Sequence, residues 1–285
     1  MASIAFPAVE VPQAEATPQV PLMPDLPVAF VIPAFNEEDN LPRLFADLER
    51  RPRLFPEGSR VFIVDDGSTD ATAQLVEQYE GDLPVELVRL GRNQGPGAAF
   101  RAGFDRALEV MPAEGYIVTL EADTTSDLDA LPRMLAAASN GAHLVLASWT
   151  MVNVSRKRQL LSKGAGYVFR HVLGVEAETV SSFFRVYRAS TLRTAFAHYG
   201  ADLMRERGFA CKAELLANIA RLGANIAEVP VELDSDRRVG KSKMPIFKTM
   251  AAYVRMLARQ RRQGGAAQEV ARGPPSASSA AASSG

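Results

Sequence analysis

The chain has 285 residues, 47% hydrophobic and 23% charged, with a formal net charge of −1. That length holds one large α/β domain or two small ones, and the near-neutral balance excludes a bulk field drawing the whole protein to nucleic acid or membrane. A single cysteine, Cys211, excludes an internal disulfide and a cysteine-built zinc site, which fits a reducing cytoplasm.

Residues 1–27 carry acids and prolines and lack the basic start and apolar core of a secretory leader, so they read as a disordered tail. Val28 to Ile32 is a continuous apolar run, a first strand ending at Pro33. Leu41, Leu44, Phe45 and Leu48 recur at helical spacing between Asp39 and Arg51. Val61 to Val64 is the next strand, followed by a helix from Ser68 to Gln78 with Ser68, Thr69 or Asp70 as its cap. Val85 to Leu90 and Tyr116 to Leu120 are the third and fourth strands, separated by a helix from about Gly97 to Val110. A helix over Leu131 to Ala138 precedes a fifth strand, Leu144 to Ala147. No apolar run approaches the roughly 18 residues that span a bilayer. From Gln263 on, Gly, Ala, Ser and Pro make a second disordered tail, 263–285.

Apolar strands alternating with helices predict an α/β fold: one mostly parallel, Rossmann-like sheet with helices on both faces. In such sheets ligands bind beyond the carboxyl ends of the strands. Four ends are polar or glycine-rich: Pro33 to Glu38, Asp65 to Ser68, Gly91 to Gly97, and Glu121 to Asp123. The last is the most demanding, because Glu121, Asp123 and Asp127 place three acids within seven residues. Like charges that close repel unless water screens them or a cation joins them. Asp127 and Ser126 precede an apolar run, and Ser126 with Asp129 fits a capping box. Glu121 and Asp123 stand too early to cap that helix. Spaced by one residue, they suit a single Mg²⁺ or Mn²⁺, whose other positions go to water and substrate phosphates. Asp65 and Asp66 suit either a turn or the N–H of a nucleobase. Gly95-Pro96-Gly97 begins like a dinucleotide fingerprint, but Phe100 stands where glycine or alanine belongs and the loop follows the third strand, so that reading is set aside.

Taken together, Val31-Ile32-Pro33-Ala34-Phe35-Asn36-Glu37-Glu38, Val64-Asp65-Asp66-Gly67-Ser68-Thr69-Asp70, Asn93-Gln94-Gly95-Pro96-Gly97, Glu228-Val229-Pro230-Val231 and Arg237 to Lys243 resemble family-2 glycosyltransferases of the GT-A fold, in the dolichyl-phosphate mannosyltransferase-like branch. The resemblance covers roughly Val28 to Met244. It implies a single GT-A domain over 28–244 that binds a GDP- or UDP-linked sugar through Pro33, Ala34, Asn36, Glu37, Asp65, Asp66, Gly67, Asn93 and Gly95. Glu121-Ala122-Asp123 then stands at the family's Asp-x-Asp metal site, with Glu121 in place of the first Asp. The resemblance implies a catalytic role for Asp123 as a ligand of that metal. Two further departures are Ser148-Trp149 in place of Ser-Arg, and Phe183 in place of a glycine in Ser182-Phe183-Phe184-Arg185. The second suggests a reshaped acceptor pocket.

The branch implies a polyprenyl phosphate acceptor, held here by Arg158, Ser162, Lys163, Arg185, Arg237, Ser242 and Lys243. Arg158, Ser162 and Lys163 share one helical face, although a solvated basic turn fits them equally. A phosphate is already an anion at neutral pH and needs little help from a base. A soluble hydroxyl acceptor would need one, and Glu214 holds the family position, although it also reads as an ordinary exposed helix acid. Residues 245–262 predict a basic amphipathic helix that lies on an anionic membrane surface or docks on the domain's own core. Ile246, Phe247, Met250, Tyr253, Val254 and Leu257 form its apolar face, and Lys248, Arg255, Arg259 and Arg262 its basic one. The expectation is an inverting, metal-dependent glycosyltransferase, cytoplasmic or peripheral on the inner membrane face, with no nucleic-acid partner. The alternative is a GT-A-like nucleotide-sugar-binding protein without transferase activity. Cys211 has no neighbouring base and reads as a packed residue, and the three histidines show no metal-ligand spacing.

Overall fold

A computed structural model describes residues 25–150, 182–232 and 251–259. Its strands are β1 (Val28–Ala34), β2 (Arg60–Asp65), β3 (Val85–Arg89), β4 (Tyr116–Thr119), β5 (Leu144–Thr150), β6 (Arg185–Arg188) and β7 (Ile226–Glu232). The helices are α1 (Leu41–Glu49), α2 (Thr72–Glu77), α3 (Pro96–Val110), α4 (Leu131–Ser139), α5 (Ala189–Tyr199), α6 (Cys211–Arg221) and α7 (251–259). All seven strands join one sheet in the order β3-β2-β1-β4-β6-β5-β7. Every pairing is parallel except those of β6, which runs against both β4 and β5.

Helices cover both faces, which explains the unbroken apolar strands. Val28, Phe30 and Ile32 join one core with Leu41, Leu44, Leu48, Met134 and Leu135 of α1 and α4. Ala29 and Val31, with the opposite side-chain parity, join the other with Phe100 and Phe104 of α3, Leu192 of α5 and Leu216 of α6. Met256 of α7 reaches this second core and is fully buried.

Three local expectations are corrected. Helix α2 begins at Thr72 rather than Ser68, because Asp70 accepts from both the Thr72 amide (3.0 Å) and its hydroxyl (2.5 Å), holding 68–71 out of the helix. The cap before α4 is Asp127, not Ser126. The Asp127 carboxylate accepts from the Asp129 amide at 3.0 Å and opens a 3₁₀ turn, Leu128–Ala130. Val254, assigned to the apolar face of the last helix, is 65% exposed, whereas Ala252 and Met256 are the buried positions.

The fold also contains elements that the strand pattern left unread: β6, α5, α6 and β7. Strand β6 is only four residues long and has arginine at both ends. Their guanidiniums find carbonyl partners: Arg185 donates to Lys212 O (2.7 Å) and Arg188 to Ala138 O (2.6 Å). Strand β7 carries Pro230 and pairs with β5 alone, the edge position at which proline is tolerated. His143 is structural: its Nδ1 accepts from the Asn225 amide at 2.8 Å, tying the start of β5 to the approach to β7.

Candidate active site

The sheet order reverses beside β1: β2 lies on one side of it, and the chain returns on the other as β4. A crevice opens beyond the carboxyl ends at such a switch point. A cleft of about 540 Å³ lies there, and all four polar strand ends contribute to it. The end of β1 supplies Pro33 and Ala34 and the loop after it Glu37, the turn after β2 supplies Asp66, the glycine loop supplies Asn93 and Gly95, and the loop after β4 supplies Glu121 and Asp123. Asn36, Asp65 and Gly67 do not line it. They hold the loops that do.

The loops after β1 and β2 are laced together. The Asn36 amide donates to Ser68 Oγ (2.9 Å), the Thr69 amide to Asn36 Oδ1 (2.8 Å), and the Glu37 amide to Thr72 Oγ1 (2.7 Å). Asn36 adopts φ 53°, a left-handed conformation that asparagine tolerates better than most residues. Asp65 Oδ1 accepts from the Ser68 amide at 2.9 Å, closing the turn. Asp66 does a different job. Its Oδ1 accepts from the Gln94 amide (2.7 Å) and its Oδ2 from the Gly95 amide (2.8 Å), so one carboxylate clamps the glycine loop. Burial pushes its carboxyl above the usual range, the two amides pull it back, and the Asp65 charge adds to the rise.

The glycines of that loop answer to another part of the chain. The Gly97 amide donates to Arg207 O at 2.7 Å, and a Cβ on Gly97 would meet Glu206 O at 2.2 Å. Glycine is required because the 206–207 segment crosses against this backbone. Gly97→Ala is expected to force the two segments apart and destabilise the protein by about 2–3 kcal/mol. Thermal denaturation checks this, and a melting temperature equal to wild type would contradict the crossing.

The loop after β4 is strained where it matters. Thr124, a β-branched residue, adopts φ 60°. Asp123 is buried, and its Oδ1 accepts from the Thr125 hydroxyl (2.7 Å) and amide (3.2 Å), which fixes the carboxylate's orientation. Glu121 is half-buried beside it. Among the described residues no group of three or more metal-capable side chains occurs. Two carboxylates lining a cleft do suit a hard divalent cation that completes its shell with water and phosphate oxygens. The donor set therefore fits Mg²⁺ or Mn²⁺ taken up with a phosphorylated ligand.

The opposite wall includes residues that the motifs did not indicate: Phe100, Glu206, Arg207, Phe209 and Arg255. Phe183, standing where a glycine was expected, lines the cleft and stacks on Phe100 at 4.5 Å between ring centres. Lys212 Nζ lies 4.2 Å from the Phe183 ring centre, and burial pushes its ammonium downward while the Glu121 charge opposes that. The cue in the sequence was the charged, aromatic run Arg205 to Phe209 directly before a helix.

Glu214 is not an exposed helix acid; it is 1% exposed. Its Oε2 accepts from the Glu206 amide (2.7 Å) and its Oε1 pairs with Arg259 of α7 (3.1 Å). Burial pushes its carboxyl upward, offset by those two partners. Arg185 is likewise interior, against Lys212 O, and does not line the cleft. Cys211 is fully buried, with its thiol pushed up to about 12 by burial, as its packed reading expected. Arg158, Ser162, Lys163, Arg237, Ser242 and Lys243 lie outside the described residues, as does the Trp149 side chain. Helix α7 packs on the domain through Ala252 and Met256, and the rest of the expected 245–262 helix lies outside the described residues.

A mostly parallel sheet covered on both faces, with acidic and glycine-rich loops walling its switch-point cleft, is a GT-A fold. Solved structures of that shape include mannosyl-3-phosphoglycerate synthase from Rubrobacter xylanophilus (TM-score 0.63, 19% identity, 84% of this chain and 75% of that one). Another is glucosyl-3-phosphoglycerate synthase from Mycobacterium tuberculosis in complex with Mn²⁺, UDP and phosphoglyceric acid (TM-score 0.61, 16% identity, 83% and 78%). The chain belongs to glycosyl transferase family 2, whose model matches residues 29–205, and it is a glycosyltransferase. An undecaprenyl-phosphate mannosyltransferase from Micrococcus luteus is 32% identical over 225 residues, 76% of this chain and 87% of that one. A polyprenol monophosphomannose synthase from Mycolicibacterium smegmatis is 30% identical over 224 residues, 75% and 79%.

Proposed function

We propose that this glycosyltransferase moves a sugar from a nucleoside-diphosphate sugar to a polyprenyl phosphate and inverts the anomeric configuration. The observation that carries the reading is the pair Glu121 and Asp123, lining the cleft at the end of β4 together with the loops after β1, β2 and β3. In this reading Pro33, Ala34, Glu37, Asp66, Asn93 and Gly95 receive the nucleotide. Asn36, Asp65 and Gly67 hold the receiving loops in shape, and Asp65 is assigned to the base by family position alone. A bound Mg²⁺ or Mn²⁺ would offset the charge of the departing nucleoside diphosphate. Glu121 and Asp123 would hold it, and Thr125 keeps the Asp123 carboxylate aimed.

The acceptor oxygen attacks the anomeric carbon from the face opposite the diphosphate, the carbon–oxygen bond to the diphosphate breaks, and inversion follows. A phosphate acceptor is already anionic and needs no proton removed. That agrees with Glu214, whose two oxygens are both engaged. Arg207 brings positive charge to the wall, suited to an anionic acceptor, while Arg255 beside it pairs with Glu206 at 3.8 Å. Arg158, Ser162, Lys163, Arg237, Ser242 and Lys243 are assigned to the acceptor phosphate by family position, and Arg185 to the support of that region. The names of the Micrococcus and Mycolicibacterium relatives support a polyprenyl phosphate, which stays in the bilayer, and hence a peripheral position on the inner membrane face. Among the described residues no helix is long and apolar enough to cross a membrane.

A panel of GDP- and UDP-linked sugars, assayed for hydrolysis and transfer with and without Mg²⁺ or Mn²⁺, tests the reading. Turnover of one donor that stops with EDTA supports it. Turnover of the donor that persists undiminished with EDTA would contradict the metal reading. Glu214→Gln separates the two acceptor classes. Gln keeps an acceptor for the Glu206 amide but loses the charge facing Arg259, so a stability loss of about 1–3 kcal/mol is expected. The kcat is expected to stay within about threefold of wild type, whereas loss of a general base would lower it by about 10²–10⁴-fold.

A further inference from the structure

Helix α7 is tied to the far wall of the cleft by charge as well as by packing. Arg259 points one nitrogen, Nη2, at two carboxylates: Glu206 Oε1 at 2.8 Å and Glu214 Oε1 at 3.1 Å. The two acids are themselves joined, because the Glu206 amide donates to Glu214 Oε2 at 2.7 Å. Carboxylates held this near each other repel unless a cation joins them, and Arg259 is that cation. Arg255, one turn earlier, stands 3.8 Å from Glu206 Oε2 and is largely exposed, so it adds less. Met256, three residues before Arg259 and on the same side of the helix, is buried in the core.

The segment that Arg259 holds is also the one on which the glycine loop rests. Arg207 O, next in the chain after Glu206, accepts from the Gly97 amide at 2.7 Å. A Cβ on Gly95 would meet Arg207 O at 2.6 Å, and one on Gly97 would meet Glu206 O at 2.2 Å, so both glycines lie directly against this backbone. Asp66 holds the other side of the loop through the Gln94 and Gly95 amides. We propose that Arg259 is a positioning residue for the sugar donor: by binding Glu206 and Glu214 at once it keeps the 206–207 backbone against Gly95 and Gly97, and so holds the glycine loop in its nucleotide-receiving shape. The inference rests on the reading of that loop as part of the nucleotide site. Arg259 does not line the cleft, and it acts through Glu206 and Arg207, which do. A loop already held in its receiving shape binds without the cost of ordering it, so the effect belongs to donor affinity rather than to bond breaking.

Calorimetric titration of the full chain with UDP and with GDP, in the presence of Mg²⁺, tests this beside the melting temperature. Arg259→Ala is expected to bind the preferred nucleotide about tenfold more weakly than wild type. Its donor KM should rise to match, with kcat within about threefold of wild type. Arg259→Lys, which keeps a cation for Glu206, should recover most of the loss. Leu135→Ala lowers stability from the core on the opposite face of the sheet, and its nucleotide affinity should equal that of wild type. The losses in Arg259→Ala and Glu206→Gln should not add, because both variants break the same pair. If Arg259→Ala does not fold, Glu206→Gln, which leaves the Arg259–Glu214 pair in place, gives the same comparison. A lowered melting temperature with wild-type nucleotide affinity would make the pairing structural alone and overturn the proposal, while the nucleotide reading stands. No binding of either nucleotide by wild type overturns both.

Discussion

Replacing Asp123 with alanine is expected to lower kcat/KM for sugar transfer by about three orders of magnitude, since charge stabilisation by a metal is worth several kcal/mol and each 1.36 kcal/mol is tenfold. Asp123 is the buried member of the acid pair, and Thr125 aims its carboxylate. In the proposed reading, removing it would take away a metal ligand and leave the donor diphosphate without a bridging cation. The cost to the fold should be small. The Thr125 amide loses one partner, about 1 kcal/mol, so the melting temperature should fall by no more than about 4 °C. Glu121→Ala should cost less, about tenfold in kcat/KM, because Glu121 is half-buried where Asp123 is buried, and its longer side chain can reach a cation through water. Calorimetric titration of the donor with and without Mn²⁺ checks both variants. Unchanged metal-dependent affinity in Asp123→Ala would remove this acid from the metal site.

The neighbouring acids Asp65 and Asp66 are expected to part company when each becomes asparagine. Asp66 uses both oxygens to hold the Gln94 and Gly95 amides. An asparagine there presents an NH₂ donor to one of two amide donors, so the glycine loop is released. A stability loss of about 2–3 kcal/mol is expected, a fall of about 5–10 °C in melting temperature, together with loss of nucleotide binding. Asp65 uses one oxygen on the Ser68 amide, an acceptor that asparagine retains. Asp65→Asn should therefore melt within about 2 °C of wild type, yet bind nucleotide about 30-fold more weakly if the carboxylate reads the base N–H. A collapse of the Asp65→Asn melting temperature would make that residue a turn former alone. Full nucleotide affinity in a folded Asp65→Asn would end its assignment to the base.

The parallel half of the fold was legible because its physics is local. Val28 to Ile32 is apolar on both parities, and only a strand covered on both faces buries such a run. The site was legible for the same reason, since polar and glycine residues at four strand ends had to converge on one side of the sheet. The second half resisted because its cues depend on distant partners. Arg185 and Arg188 make β6 look like surface until the carbonyls of Lys212 and Ala138 are in place. Glu214 looks like an exposed helix acid until Arg259, 45 residues later, packs over it. Asp65 and Asp66 are adjacent and chemically identical, yet one closes a turn and the other clamps a loop 28 residues on. The far wall of the cleft, with Arg207 and Phe209, carried only a compositional hint, because its position depends on the crossing at Gly97.

The most direct test of the account is transfer itself. Radiolabelled donors from the GDP- and UDP-sugar panel are incubated with undecaprenyl phosphate in detergent, with Mn²⁺ or with EDTA. The organic phase is then counted, and the anomeric configuration of the product is read by NMR. The account predicts label in the organic phase only with the divalent cation, in a product whose anomeric configuration is opposite to that of the donor. Retention of the donor configuration, transfer undiminished by EDTA, or label that passes only to soluble hydroxyl acceptors would contradict it.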